Sequence, residues 1–154
     1  MNPGRLLIAN RGEVAIRIAR AAKALGLETV CVHSDDDATA LHRLLAQSAI
    51  GLGRTGPAAY LDIDALIRIA VDARCVAVHP GYGFLSENAV FASRCRSAGL
   101  TFVGPDPETL ELLGDKAAAR ALARRLEIPV VEGTNGPPSL DQAIAFFRQL
   151  PEGS

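Results

Sequence analysis

His79-Pro80-Gly81-Tyr82-Gly83-Phe84-Leu85-Ser86-Glu87-Asn88 follows a short apolar run, Cys75-Val76-Ala77-Val78, and precedes a helical pattern over 88–98. The apolar run reads as a buried strand, which makes the ten residues a strand-to-helix loop. Open α/β sheets place ligand chemistry in such loops, beyond the carboxyl ends of their strands. Gly81 and Gly83 flank Tyr82 and permit a sharp turn or a close approach to a ligand. Ser86 is the expected N-cap of the next helix, with Glu87 in its first turn. A loop rich in glycine and proline also serves as a plain turn, and two further segments bear on the choice.

Outward from this loop, strands alternate with helices. Leu6-Leu7-Ile8-Ala9 predicts a first strand and Asn10-Arg11-Gly12-Glu13 its loop. Val14, Ile18, Ala21, Ala22 and Leu25 then recur at helical spacing, with Arg17, Arg20 and Lys23 opposite. A second strand is expected over 27–32, followed by the acidic segment His33-Ser34-Asp35-Asp36-Asp37, which reads as a solvated loop opening a helix over 38–47. A third strand is expected over 48–52, a helix capped by Asp62, the fourth strand before the opening loop, and a fifth, Thr101-Phe102-Val103. This alternation predicts a parallel sheet wound by right-handed crossovers, with helices on both faces. The near-continuous apolar strands agree, because strands covered on both faces lose the polar alternation. Beyond residue 104 helix follows helix: one from Asp106-Pro107 to Leu113, a break at Gly114-Asp115-Lys116, a second helix to about Leu126, a Gly/Pro loop over 132–139, and an amphipathic stretch over 140–150.

The composition narrows the function. With 154 residues, 49% hydrophobic and 21% charged, the chain is long enough for a proper core and is not of disordered composition. A net charge of −1 and no basic stripe argue against nucleic acid, whose phosphates require one. Apolar runs fall far short of the roughly 20 residues that span a bilayer, and residues 1–9 show no leader pattern, so a cytoplasmic protein is expected. Cys31, Cys75 and Cys95 lack any metal or redox spacing and read as buried, inert thiols. Two lysines, Lys23 and Lys116, stand against fourteen arginines, which singles each lysine out.

The first loop carries one glycine and not the GxGxxG of dinucleotide sites. His33 and His42 have no partner at ligand spacing; His79 is either a site residue or a hydrogen-bonded structural one. Spacing reveals no Ser/His/Asp or Cys/His set. In Gly114-Asp115-Lys116, Asp115 is placed to cap the helix that Lys116 opens, and a lysine there suits a phosphate as well as it suits solvent.

Ile8-Ala9-Asn10-Arg11-Gly12-Glu13, the His79 to Asn88 stretch and Gly114-Asp115-Lys116, in that order and at these separations, resemble the N-terminal domain of biotin carboxylase, the ATP-dependent component of biotin-dependent carboxylases. The resemblance runs from about Leu6 to Gly136. It implies an α/β fold: a Rossmann-like pre-ATP-grasp domain over 1–104, a helical linker carrying Gly-Asp-Lys over 105–139, and the truncated start of an ATP-grasp small domain over 140–154. It implies carboxylation of carrier-bound biotin with bicarbonate and Mg-ATP, by way of carboxyphosphate. By position, Lys116 resembles the lysine that contacts ATP, and Tyr82 and Gly83 resemble the side of the site facing bicarbonate and biotin. Glu87 and Asn88 shape that loop. Arg17 and Arg20 resemble contacts of the family's homodimer surface, although Ala24 stands where some relatives carry an acidic partner. The family's glycine-rich lid, metal-binding glutamates and catalytic arginine follow later in sequence. No catalytic and no metal-binding residue is therefore expected in this chain, which is expected to be a piece of a longer carboxylase subunit. ATP, Mg²⁺ and biotin are implied for the full enzyme, none held tightly by this chain alone. Partners implied are the biotin carboxyl carrier domain, the remaining ATP-grasp portion and a carboxyltransferase. Another ATP-grasp ligase and a non-catalytic dimerisation or docking module are the alternatives.

Overall fold

The computed structural model describes residues 4–131 and 138–149, so most of the 132–139 loop and the end of the 140–150 stretch lie outside the described residues. The chain divides into two compact units, Met1–Leu110 and Glu111–Ser154. The first holds five parallel strands, β1 (Arg5–Ile8), β2 (Glu28–His33), β3 (Ser48–Gly51), β4 (Cys75–His79) and β5 (Thr101–Phe102), in the order β3-β2-β1-β4-β5. The expected α/β parallel sheet is present. Strand order reverses between β1 and β4, and that gap is the topological switch point where open sheets bind ligands.

Two apolar layers sandwich the sheet, as the strand period of two requires. Leu7 of β1 and Ala9 just beyond it join Val30, Val32, Leu66, Ala70 and Phe91 on one face. Leu6 and Ile8 join Ala15, Ile18, Ala19 and Ala22 on the other. The second face is covered by α1 (Gly12–Ala24), whose four buried residues recur at i, i+3, i+4 and i+7. The first face is covered by α3 (Ile63–Asp72) and α4 (Ala89–Ser97). Asp62 caps α3 as expected, accepting from the Ala65 N–H at 3.0 Å.

β4 carries an irregularity with a reason in its pairing. Arg5 pairs with Cys75 but Leu6 pairs with Ala77, so Val76 is an extra residue in the ladder. This bulge lets Cys75 and Val78, three apart, enter the same layer, while Ala77 packs in the opposite one.

Two local expectations are corrected. The helix expected over 38–47 is only α2 (Leu41–Leu45), preceded by a 3-10 turn at Asp35–Asp37. The aspartates are drawn into contacts described below, and the Gln47 side chain accepts from the Thr29 N–H (2.8 Å) and hydroxyl (2.5 Å), which ends the helix at the edge of the sheet. The cap of α4 is Asn88, not Ser86. Its Oδ1 accepts from the Phe91 N–H at 2.8 Å, whereas Ser86 is still in the loop, its N–H bonded to the Gly83 carbonyl.

α5 (Pro107–Gly114) crosses into the second unit, which also holds α6 (Lys116–Arg125) and α7 (Leu140–Phe147). Asp115 caps α6 through bonds from the Ala117 and Ala118 N–H groups (2.7 and 3.0 Å). α7 opens with a reciprocal capping box between Ser139 and Gln142.

Candidate functional site

The loops after β1 and β4 meet at the switch point. The Ala9 N–H donates to the His79 carbonyl at 3.0 Å, and beyond it the side chain of Asn10 reaches across. Its Nδ2 donates to the carbonyls of Pro80 (2.6 Å) and Tyr82 (2.9 Å), while its Oδ1 accepts from the Arg11 N–H (2.8 Å). Asn10 is 2% exposed. The Gly81 N–H donates to Nδ1 of His79 at 3.0 Å, which makes that nitrogen an acceptor and fixes the neutral ring's proton on Nε2. Burial lowers the His79 pKa, in keeping with the neutral ring.

The loop backbone is unusual. Gly81 and Gly83 have φ of +69° and +67°, and Phe84, a bulky residue, has +41°. Left-handed backbone at a non-glycine residue is strained and persists only where its surroundings over-determine it. Phe84 meets the buried ring of Tyr60 at a centroid distance of 5.1 Å.

Tyr60 leads to the main correction in this region. The acidic loop after β2 is solvated only in part: Asp35 and Asp36 are exposed, but Asp37 is not. Asp37 is 8% exposed and accepts two bonds from the Arg11 guanidinium, Nε to Oδ2 and Nη2 to Oδ1, both 2.6 Å. The Tyr60 hydroxyl donates to the same carboxylate at 2.8 Å and accepts from the Ser34 N–H at 3.0 Å. The Arg11 hydrogen bonds hold the Asp37 carboxyl well below the usual carboxylate range, against the opposing effect of burial, with the Tyr60 bond adding to the fall. Asp36 accepts from the Gly56 N–H at 2.9 Å. His42 is wholly buried beside this cluster, with no hydrogen bond of ordinary geometry to either ring nitrogen; desolvation lowers its pKa.

The residues singled out from sequence separate as follows. Tyr82 is 67% exposed and its hydroxyl donates to Glu13 at 2.8 Å, which raises the phenol pKa. Tyr82, Glu13, His79 and Arg17 border one open groove of about 740 Å³, floored by Leu6, Ala77 and Val103. Gly83 is exposed in the same loop. Arg20 is exposed on α1 outside the groove lining. Lys116 opens α6 in the other unit, exposed and without an ion pair or hydrogen bond among the described residues. All three cysteines are buried and free; burial pushes the Cys31 thiol up to about 12 and Cys95 up to about 11, which keeps them protonated and inert. Sequence reasoning missed Asn10, Asp37 and Tyr60 as a connected set.

A doubly covered parallel sheet with two interlocked loops at its switch point places the chain among the open α/β folds. The comparison with known proteins makes this specific: residues 2–110 match the biotin carboxylase N-terminal domain, and the chain belongs to that family. It is 50% identical over 147 residues to a pyruvate carboxylase of Aspergillus niger, covering 93% of this chain and 12% of that protein. Its fold superposes with a TM-score of 0.90 on the biotin carboxylase domain of a single-chain bacterial carboxylase, at 56% identity, covering 94% of this chain and 34% of that one. The same score, at 36% identity, 96% of this chain and 33% of the other, relates it to the biotin carboxylase domain dimer of Hydrogenobacter thermophilus 2-oxoglutarate carboxylase, solved with MgADP, ADP and bicarbonate. The chain thus spans about an eighth of the curated relative and about a third of the matched domain structures. Among the described residues no helix is long and apolar enough to cross a membrane, and no group of three His, Cys, Asp or Glu side chains is placed to hold a metal ion.

Proposed function

We propose that this chain is the N-terminal part of a biotin carboxylase, with Tyr82 and Gly83 facing bicarbonate and biotin and Lys116 contacting the phosphates of ATP in the full enzyme. The observation that carries this is the strained loop at the switch point, which leaves Tyr82 exposed at its tip in a chain of this family. In the full enzyme Mg-ATP supplies the activation that bicarbonate, a poor electrophile, needs before it reacts with biotin. Lys116 fits a phosphate: it is a compact cation at the N-terminus of a capped helix, exposed and uncommitted among the described residues. The Mg²⁺ ligands and the catalytic groups are assigned to the remaining ATP-grasp portion. We assign 1–104 to the pre-ATP-grasp domain, 105–139 to the linker and 140–154 to the start of the ATP-grasp small domain.

The partners proposed are that ATP-grasp portion, a biotin carboxyl carrier domain and a carboxyltransferase, which selects the final acceptor. Arg17 and Arg20 on α1 are proposed contacts of a homodimer, and the compartment is the cytoplasm. The 154-residue chain alone is expected not to turn over ATP, because an exposed single charge contributes only about 0–1 kcal/mol to binding. The test replaces the N-terminal domain of a homologous biotin carboxylase with this chain. Biotin- and bicarbonate-dependent ATP hydrolysis is expected, with Lys116→Ala raising KM for ATP and Tyr82→Ala raising KM for biotin. A folded chimera without biotin-dependent hydrolysis overturns the proposal, as does such turnover by the isolated chain.

A further inference from the structure

We infer that Asn10 is a positioning residue that holds the Tyr82 loop in its strained shape, with Asp37 as the anchor behind it; its consequence for catalysis rests on the loop assignment proposed above. Three of the four residues from Gly81 to Phe84 have left-handed backbone, and one of them is a phenylalanine. Such a segment relaxes unless something holds it. Asn10 is the hold: its two Nδ2 hydrogens go to the carbonyls on either side of Gly81, and its Oδ1 is taken by the Arg11 N–H. With both Nδ2 hydrogens committed and the side chain buried, Asn10 has no N–H left to donate to a substrate and does not reach the groove, so it acts through the loop and not on the reacting atoms. Gly81 is pressed against it; a Cβ at Gly81 would lie 2.7 Å from Nδ2.

Asp37 meets the same loop along two paths. Through the Arg11 guanidinium it fixes the segment that carries Asn10 and so the carbonyls of Pro80 and Tyr82. Through the Tyr60 hydroxyl it fixes the ring against which Phe84 rests. A carboxylate from the loop after β2 thereby braces, on both flanks, a loop after β4, two strands away in the sheet. A misplacement of about 1 Å in a substrate-facing group is enough to slow a reaction severely, which is why such bracing matters at a site.

The test is residue-resolved hydrogen exchange on the 154-residue chain. Asn10→Asp keeps the side chain's size, removes both Nδ2 donors and sets a carboxylate against two carbonyl oxygens. The Gly81 and Ser86 amides, bonded to His79 and to the Gly83 carbonyl, are expected to exchange about tenfold faster or more, while β2 and α3 keep their protection. Asp37→Asn is expected to move the same two amides in the same direction and serves alone if N10D does not fold. Leu100→Ala, which opens the core at the start of β5, controls for general loss of stability. Unchanged loop exchange in folded N10D or D37N, or a rise spread over the whole sheet as in L100A, overturns the inference. In a full carboxylase carrying this domain, N10D is expected to raise KM for biotin and bicarbonate about tenfold with KM for ATP unmoved. Faster loop exchange with all three constants unmoved upholds the positioning role and overturns the assignment of the loop to bicarbonate and biotin.

Discussion

Asp37 and His42 sit side by side in the first unit and answer to acid in different ranges. Desolvation lowers the His42 pKa in the folded chain below its ordinary 6.5, the neighbouring Arg11 and His33 lower it further, and Asp37 and the Val32 carbonyl oppose the fall. The native state therefore favours the neutral ring. Its contribution is complete above about pH 6.5 and is lost as pH falls through that value toward the folded pKa. Asp37 is depressed below its ordinary 3.8, so its contribution is present above about pH 3.8 and is lost only as pH falls below it. Thermal unfolding across pH is expected to show two separate declines. His42→Leu removes the upper one and leaves stability at pH 7 within about 1 kcal/mol, because both ring nitrogens are already without a well-formed bond. An unchanged slope between pH 7 and 5 in His42→Leu would refute this. The histidine's burial was not legible in sequence: it lies in a segment whose leucines, Leu41, Leu44 and Leu45, turn outward while the polar ring turns in. Nor was that of Asp37, because three consecutive aspartates read as solvated and nothing in the spacing announces Arg11, 26 residues away, as a partner.

At the scale of the element, the two glycines around Tyr82 look alike in sequence and differ in space. Both have left-handed φ, which costs an alanine about 1–2 kcal/mol. At Gly83 a Cβ meets nothing within 4 Å, whereas at Gly81 it would lie 2.6 Å from Cγ1 of Val14 and 2.7 Å from Nδ2 of Asn10. Denaturant melts are expected to place Gly83→Ala about 1 kcal/mol below the parent and Gly81→Ala at least about 3 kcal/mol below it. Equal losses would show that the close approach to Asn10 is not tight. Asn88→Ala removes the cap of α4 and is expected to lower stability by about 1 kcal/mol, while Ser86→Ala stays within about 0.5 kcal/mol. The loop itself was legible, since Gly and Pro between a strand and a helix announce a turn. Its cap was not, since Ser86 and Asn88 are equally good capping types and only the extra turn from Gly83 to Leu85 decides between them.

At the scale of the whole molecule, the alternation of apolar strands and amphipathic helices carried the fold, because a five-stranded parallel sheet leaves the period of each element in the sequence. What belongs between elements left no such trace: the Asn10 bridge and the Arg11–Asp37–Tyr60 cluster join residues 23 to 72 apart in sequence. The two units also differ in how much they bury. Leu140 and Phe147 of α7 are largely exposed, and α6 and α7 contain no buried residue. Hydrogen exchange of the isolated chain is expected to show slow amides in β1, β2 and α3 and nearly unprotected ones over 140–149. Strong protection there would contradict the assignment of that stretch to a portion completed elsewhere. Val76, the supernumerary residue of β4, acts on the same scale. Along a regular strand odd and even positions address opposite layers, so with Cys75 committed to the α3 and α4 side, His79 would follow it inward. One inserted residue inverts the parity of everything after it, and the ring arrives instead beside Tyr82 at the groove. Forcing all five residues of β4 into regular pairing would send the His79 imidazole into the hydrocarbon layer and withdraw the acceptor that fixes Gly81, whereas deleting Val76 would leave Cys75 and Val78 two apart in one layer and His79 still at the groove.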